Sequence, residues 1–445
     1  MSQILRWAFP SCFTDETVRK KTAEHNANLA LASLQNCDWG QLRLLFMVLL
    51  RYIMTEKMLE KGWQFAQLTF GRFEHHGPPS CSVGWLYTTV TVPIQFKRVR
   101  MVASMQMTFS GDIFSLRLYP ALSSEWKTPS YAPSPDEIKQ MKARLGKGLF
   151  KVGGTITLPA KPGKYPCVIL IAGSGPLSRD SEVGALKPFK DIALGLAKQG
   201  IATCRLDKVT YTYRLWYMLN RRQAQRITLL GEYSQVSDAI RYVSRHSHID
   251  SSRIYTLGHS LGGLLAAHAA ATEQLVTGYI LMATPYESIY RSAIRQFRYL
   301  ASIEDSEEVA KKTLSDAEEL ETKAALADSS DLSLSTPAEK LPFGIGPSYW
   351  LECRRLSIQK TATQLRKRIL VLQGSRDYQV DMEDYEKMHA SLVDHDNAGF
   401  RVFDRLNHCF VAGEGVPNPA EDHNQGNVSV DVIEAIGQWV KRPPQ

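Results

Sequence analysis

Residues 14 to 71 read as helices. Thr14-Asp15-Glu16 looks like a cap with an acidic first turn, and Gly71 stops the run after Trp63-Gln64-Phe65-Ala66-Gln67-Leu68. The period then changes. Leu86-Tyr87-Thr88-Thr89-Val90-Thr91-Val92 is rich in β-branched and aromatic residues, and Met101 to Phe109 and Ile113 to Leu118 follow, separated by Ser110-Gly111-Asp112. These predict antiparallel strands joined by tight turns. Helices followed by a small sheet predict an independent α+β domain over residues 1–120. The Pro/Ser-rich stretch from Pro120 to Pro135 marks a linker, with expected bounds 121–144.

From about residue 145 the pattern becomes α/β. Strand-like apolar runs fall at 166–172, 201–206, 253–258, 278–283, 368–373 and 400–404, with helical segments at about 188–199, 228–245 and 260–273. Strands alternating with helices predict a mostly parallel sheet flanked by helices over residues 145–445. One interval, 285–366, is too long for a simple crossover. It holds an acidic helical stretch (Glu304 to Glu321) and a loose Ser/Asp stretch (Ser329 to Ser335), which predict a cap over the cleft.

The chain has 445 residues, a size that suits two or three domains, and 44% hydrophobic against 22% charged residues fits a globular protein. The net charge of +8 is scattered, without a long basic run, so nucleic acid is not an expected partner. Seven cysteines form no C-x-x-C pair, which argues against a disulfide framework or a cysteine zinc site and favours a reducing compartment. Cys167 and Cys204 lie inside strand runs and read as small core residues. Met1-Ser2-Gln3-Ile4-Leu5-Arg6 lacks the apolar core of a signal peptide, so the expected location is cytoplasmic. The longest apolar run, Leu44 to Leu50 between Arg43 and Arg51, is too short to span a membrane and is expected to be a buried helix face.

The chemistry concentrates at Gly258-His259-Ser260-Leu261-Gly262-Gly263. This stretch follows the apolar run Ile254-Tyr255-Thr256-Leu257 and precedes Leu264-Leu265-Ala266-Ala267-His268-Ala269-Ala270. Strand, turn, then helix with a serine at the apex is the setting in which G-x-S-x-G marks a nucleophile elbow. Side chains at Gly258 or Gly262 would collide where strand and helix approach, and the helix start points free N–H groups at whatever Ser260 attacks. His259 reads as a packing residue beside the nucleophile.

A serine hydroxyl needs a base, and the base an orienting acid. On such elbows the chain order is serine, acid, histidine. Ile369-Leu370-Val371-Leu372-Gln373 is a strand and Gly374-Ser375-Arg376-Asp377 the turn after it, so Asp377 is the expected acid. Phe400-Arg401-Val402-Phe403 is a strand followed by Leu406-Asn407-His408, so His408 is the expected base. Asp381 and Asp384 are expected on the next helix facing water, Asp404 pointing away, and His395 in a polar loop. A tetrahedral intermediate also needs donors for its oxyanion, each worth about 3 kcal/mol. The backbone N–H of Leu261 is one; the loop Ala172-Gly173-Ser174-Gly175-Pro176 offers Ser174 first and Gly175 second. Gly173-Ser174-Gly175 is followed by proline rather than the third glycine of a dinucleotide fingerprint. No cofactor or metal is expected.

These motifs together resemble the serine esterases of the α/β-hydrolase superfamily that carry a small NTF2-like domain before the catalytic domain, the serine-aminopeptidase-like hydrolases. The matching pieces are Ala172 to Pro176 with Arg179-Asp180, Lys187-Pro188-Phe189-Lys190-Asp191, Arg205-Leu206-Asp207-Lys208, the elbow, Tyr349-Trp350-Leu351, Leu372 to Val380, and Leu406-Asn407-His408. The resemblance covers most of residues 145 to 440 and extends more weakly over 15 to 120. It implies an α/β-hydrolase fold, a triad at Ser260, Asp377 and His408, and hydrolysis of small-molecule carboxylic esters. The chain departs from the pattern at Leu186, where the family has Asn, and at Tyr211 to Arg226, where Tyr211, Tyr213, Trp216 and Tyr217 interleave with Arg214, Arg221, Arg222 and Arg226. Two alternatives stay open: acyl transfer or lactone formation with the same triad, or a non-catalytic scaffold. The N-terminal domain would serve a homodimer contact or cover the cleft. Aminopeptidase chemistry would need an acidic anchor for the peptide amine, and the sequence identifies none.

Overall fold

The computed structural model describes residues 15–120, 126–146 and 151–442. It divides into two compact units, Met1–Ser124 and Glu125–Gln445. Thr14, Cys12, the first six residues and linker positions 121–125 lie outside the described residues.

In the first unit the helix Glu16–Gln35 starts at Asp15, whose carboxylate accepts the Thr17 N–H at 2.9 Å. It buries Ala23, Ala27, Ala30, Leu31 and Leu34, one face at helical spacing. Helix Glu56–Phe70 ends at Gly71, whose φ of +83° suits glycine. The antiparallel strands Phe73–His76, Ser80–Val83, Thr88–Phe96, Arg100–Met107 and Ile113–Pro120 form one sheet. Val90, Val92, Ile94 and Phe96 face the helices from alternate positions.

The apolar run at 44–50 departs from expectation. It is not a buried helix face: Phe46 and nearby Leu42 are buried, while Leu44, Val48 and Leu49 are each more than 60% exposed. The cause is backbone pairing. The Met47 N–H donates to the Ile113 carbonyl at 3.0 Å and the Ile113 N–H to the Leu45 carbonyl at 2.8 Å, which splits the segment into helices Trp39–Leu44 and Val48–Ile53. Among the described residues no helix is long and apolar enough to cross a membrane.

The second unit is built on eight strands: β1 (Ile138–Leu145), β2 (Val152–Pro159), β3 (Tyr165–Ile171), β4 (Ala202–Leu206), β5 (Ile249–His259), β6 (Val276–Met282), β7 (Arg368–Gly374) and β8 (Ala398–Phe403). Their order is β1-β2-β4-β3-β5-β6-β7-β8, with β2 antiparallel to both neighbours and the remaining pairs parallel. Helices α1 (Pro188–Lys198), α2 (Gln235–Ser244), α3 (Gly262–Thr272), α7 (Met382–Ser391) and α8 (Val430–Lys441) flank it. Between β6 and β7 lie α4 (Ile289–Ser302), α5 (Glu307–Asp328) and α6 (Pro347–Arg355). This is the α/β-hydrolase fold.

Strand β3 shows why its run is apolar throughout. Cys167, Ile169 and Ile171 pack with α2 and α3, while Val168 and Leu170 pack with α1 and α8. Both faces are covered, so alternation disappears. The linker expected over 121–144 is corrected at its end, because residues 138–144 belong to β1. As an edge strand β1 carries Lys139, Lys142 and Arg144 outward, and these charges mask its buried Ala143 and Leu145.

Lys187 to Asp191 opens α1. Pro188 takes the first turn, Phe189 enters the core, and buried Asp191 accepts the Val428 N–H at 3.0 Å and the Trp126 indole at 2.7 Å. Asp191→Ala strands a buried donor and is expected to lower stability by about 1–3 kcal/mol, measured as the shift in the urea unfolding midpoint.

Candidate active site

Ser260 stands between the end of β5 and the start of α3 with φ of +54°, a strained value for a non-glycine residue. Its N–H donates to the Met282 carbonyl at 2.9 Å, and its carbonyl accepts from the Gly263 N–H at 2.9 Å. The turn is possible because backbones touch. A Cβ at Gly258 would lie 2.1 Å from the Gly262 carbonyl oxygen, and one at Gly262 would lie 2.2 Å from that of Ile171. The loop after β3 reaches the serine: a Cβ at Gly173 would lie 3.0 Å from Ser260 Cβ and 3.6 Å from its Oγ.

Asp377 follows β7. One carboxylate oxygen accepts the N–H groups of Gln379 and Val380 at 2.8 and 2.9 Å, and the other accepts from His408 Nδ1 at 2.6 Å. Both residues are buried. The loop carrying His408 is shaped by the Asn407 side chain, whose oxygen accepts from the N–H groups of Cys409 and Val411 at 3.0 and 3.1 Å. Burial alone would lower the His408 pKa; the Asp377 charge and hydrogen bond, with Asp422, outweigh it and hold the imidazole above its ordinary range.

His259 links the two halves. Its Nε2–H donates to the His408 carbonyl at 2.8 Å, and the two rings lie 4.5 Å apart. Burial first, then the His408 charge, push its pKa down to about 3, so His259 stays neutral. The structure therefore joins Asp377 to His408 directly and brings Ser260 to them through its chain neighbour. Among the described residues no hydrogen bond joins Ser260 Oγ to His408; the His408 ring pairs with Asp377.

The three expected oxyanion donors remain available. Among the described residues the N–H groups of Leu261, Ser174 and Gly175 donate to no protein acceptor. Beneath them is a buried group that sequence reasoning missed. Lys208 Nζ lies 2.8 Å from the Gly173 carbonyl, 2.8 Å from Tyr233 Oη and 3.1 Å from Glu232. Burial above all pulls the Lys208 pKa down to about 8, against the pull of Glu232. Its signal was the Arg205-Leu206-Asp207-Lys208 motif, whose partners lie in a separate loop. Asp422, which burial above all pushes up to about 6, had no sequence signal.

Other positions are corrected. Asp384 does not face water; it is fully buried, accepts the Tyr286 N–H at 2.8 Å and pairs with Arg295. His395 lies in the loop between α7 and β8, as expected, and is buried there with Nε2 2.8 Å from the Leu365 carbonyl. Helix α4 is pinned to the acid loop: Gln296 donates to the Gln379 carbonyl at 2.9 Å, and Tyr299 stacks on Tyr378 at 5.4 Å. The segment 211–226 forms short helices with Arg214, Arg222 and Arg226 exposed.

Residues 186–414 match the family model described as serine aminopeptidase, S33. The chain is 30% identical over 355 residues to esterase EstD of Thermotoga maritima, a match spanning 80% of each chain. Among solved structures, Est1E from Butyrivibrio proteoclasticus aligns at 16% identity and a TM-score of 0.42, over 67% of this chain and 96% of that one. The Pyrococcus furiosus esterase PF2001 aligns at 14% identity and a TM-score of 0.43, over 72% and 97%.

A histidine pKa raised by folding contributes stability below the unfolded value of about 6.5 that is lost as pH rises through the folded one. NMR titration of ring-labelled histidine is expected to place His408 above about 6.5 and to move it downward in Asp377→Asn. His259 should stay neutral until about pH 3.

Proposed function

We propose, from the premise that the chain belongs to the serine aminopeptidase S33 family, that it hydrolyses carboxylic esters through an acyl-enzyme on Ser260. One observation carries the reading. A buried histidine and carboxylate 2.6 Å apart stand at the same strand ends as a serine held at positive φ. The similarity to EstD, named an esterase, supports ester over amide as substrate.

In this mechanism His408 Nε2 takes the Ser260 proton as Oγ attacks the ester carbonyl. The oxyanion is held by the N–H of Leu261 and that of Ser174, with Gly175 next to it. His408 gives its proton to the departing alcohol, then takes one from water, and the resulting hydroxide releases the acid. Asp377 accepts the Nδ1–H, which fixes the tautomer, and balances the imidazolium. The Ser260–His408 hydrogen bond forms as substrate fills the site, since catalytic hydrogen bonds are often long or poorly aligned until then. Helix α4 is anchored to the Asp377 loop through Gln296 and Tyr299, which holds the carboxylate in place behind His408.

Ser260→Ala is expected to lower kcat on p-nitrophenyl acetate and butyrate by more than about a thousandfold while circular dichroism stays unchanged. A fluorophosphonate probe should label Ser260, read by peptide mass spectrometry. Near-normal turnover by the variant, or labelling elsewhere, overturns the mechanism. Faster cleavage of an aminoacyl p-nitroanilide than of every ester overturns the substrate class.

A further inference from the structure

The triad leaves a buried cation unused. Lys208 is 1% exposed, and an ammonium taken out of water is costly unless each of its protons finds an acceptor. Here each does: the three donors meet three acceptors, the Gly173 carbonyl, Tyr233 Oη and Glu232. Tyr233, also buried, accepts from Lys208, and its own hydroxyl lies 2.7 Å from the Gly173 carbonyl and 3.0 Å from that of Ala172. The Gly173 oxygen is thus approached by two donors from one side.

A trans peptide points its C=O and the next N–H in opposite directions. Drawing the Gly173 oxygen toward Lys208 and Tyr233 therefore turns the Ser174 N–H the other way. Gly173 itself lies against Ser260, so this peptide borders the hydroxyl. We propose that Lys208 and Tyr233 are positioning residues for the oxyanion site: they lock the Gly173–Ser174 peptide with its N–H aimed at the carbonyl oxygen of the ester that Ser260 attacks. A cationic donor on the carbonyl also polarises the peptide and strengthens its N–H as a donor.

The neighbours complete the clamp. Arg205 pairs with Asp180, and Asp207 accepts from the Arg179 backbone N–H at 2.8 Å and its Nε at 3.0 Å. Arg179 in turn donates to the Gly154 carbonyl at 2.7 Å. Arg205, Asp207 and Lys208 at the end of β4 therefore each grip the loop after β3, the first two at its far end and Lys208 at the reacting end. The Arg-Leu-Asp-Lys motif and the Arg179-Asp180 pair become one device.

This inference rests on Ser260 as nucleophile, and the test separates the two. Tyr233→Phe removes one hydroxyl and keeps the ring. Lys208→Met with Glu232→Gln removes the cation without stranding its counter-charge. The readouts are kcat and KM on p-nitrophenyl acetate, the inhibition constant of phenylboronic acid, and the thermal midpoint. Phenylboronic acid forms a tetrahedral adduct on the serine that places an oxygen among the oxyanion donors. The expected result is a kcat loss of about tenfold for Tyr233→Phe and about a hundredfold for the double variant, with KM within about twofold. Boronate affinity should weaken in the same order. Packing alone would lower the thermal midpoint and leave boronate affinity of the folded protein unchanged; that result overturns the proposal. If the double variant does not fold, Tyr233→Phe decides. If Ser260→Ala retains activity, the nucleophile assignment fails. If Ser260→Ala is inactive while the clamp variants bind boronate normally, the clamp alone fails.

Discussion

Everything at the site depends on how closely three pieces of backbone approach one another at the end of β5. The carbonyls of Gly262 and Ile171 stand where side chains at Gly258 and Gly262 would otherwise be. That contact draws α3 against the sheet, forces Ser260 to positive φ, and brings the loop after β3 within reach of its hydroxyl. Loosening it by the width of one methyl group would move the serine away from Gly173, because the loop after β3 packs directly on this turn.

The second constraint is electrostatic. The site holds several ionisable side chains away from water, and each is tolerable only through specific partners. Asp377 is satisfied by two backbone N–H groups before it meets His408, so its charge is fixed in place rather than merely present. Lys208 is satisfied by two neutral oxygens and one carboxylate. The same low-dielectric surroundings that make these groups costly also make them effective, since a charge held still does not reorganise as the reaction proceeds.

Two segments where the hydrophobic pattern misleads have a common origin. Residues 44–50 are apolar enough for a core helix, yet pairing with Ile113 breaks them into two short helices with apolar side chains left outside. Residues 138–145 are charged enough for a linker, yet they complete the sheet as its edge. Hydrophobicity reports the average surroundings of a segment, whereas backbone hydrogen bonding to a distant strand decides its conformation.

Six of the eight sheet strands, β3 to β8, the elbow, and the turns bearing Asp377 and His408 were legible from local composition. Glycine, β-branched residues and caps act over a few positions, so the linear chain carries their meaning. Asp422 beside His408, His259 as the bridge between elbow and base, buried Asp384 on Arg295, and the grip of Lys208 and Tyr233 on Gly173 were not legible. They join residues from 14 to 149 positions apart, and a single buried polar contact leaves no periodic trace. Local physics thus determined which residues carry reactive groups, and tertiary packing alone decided which of them meet, because burial and pairing of charge are properties of the folded interior.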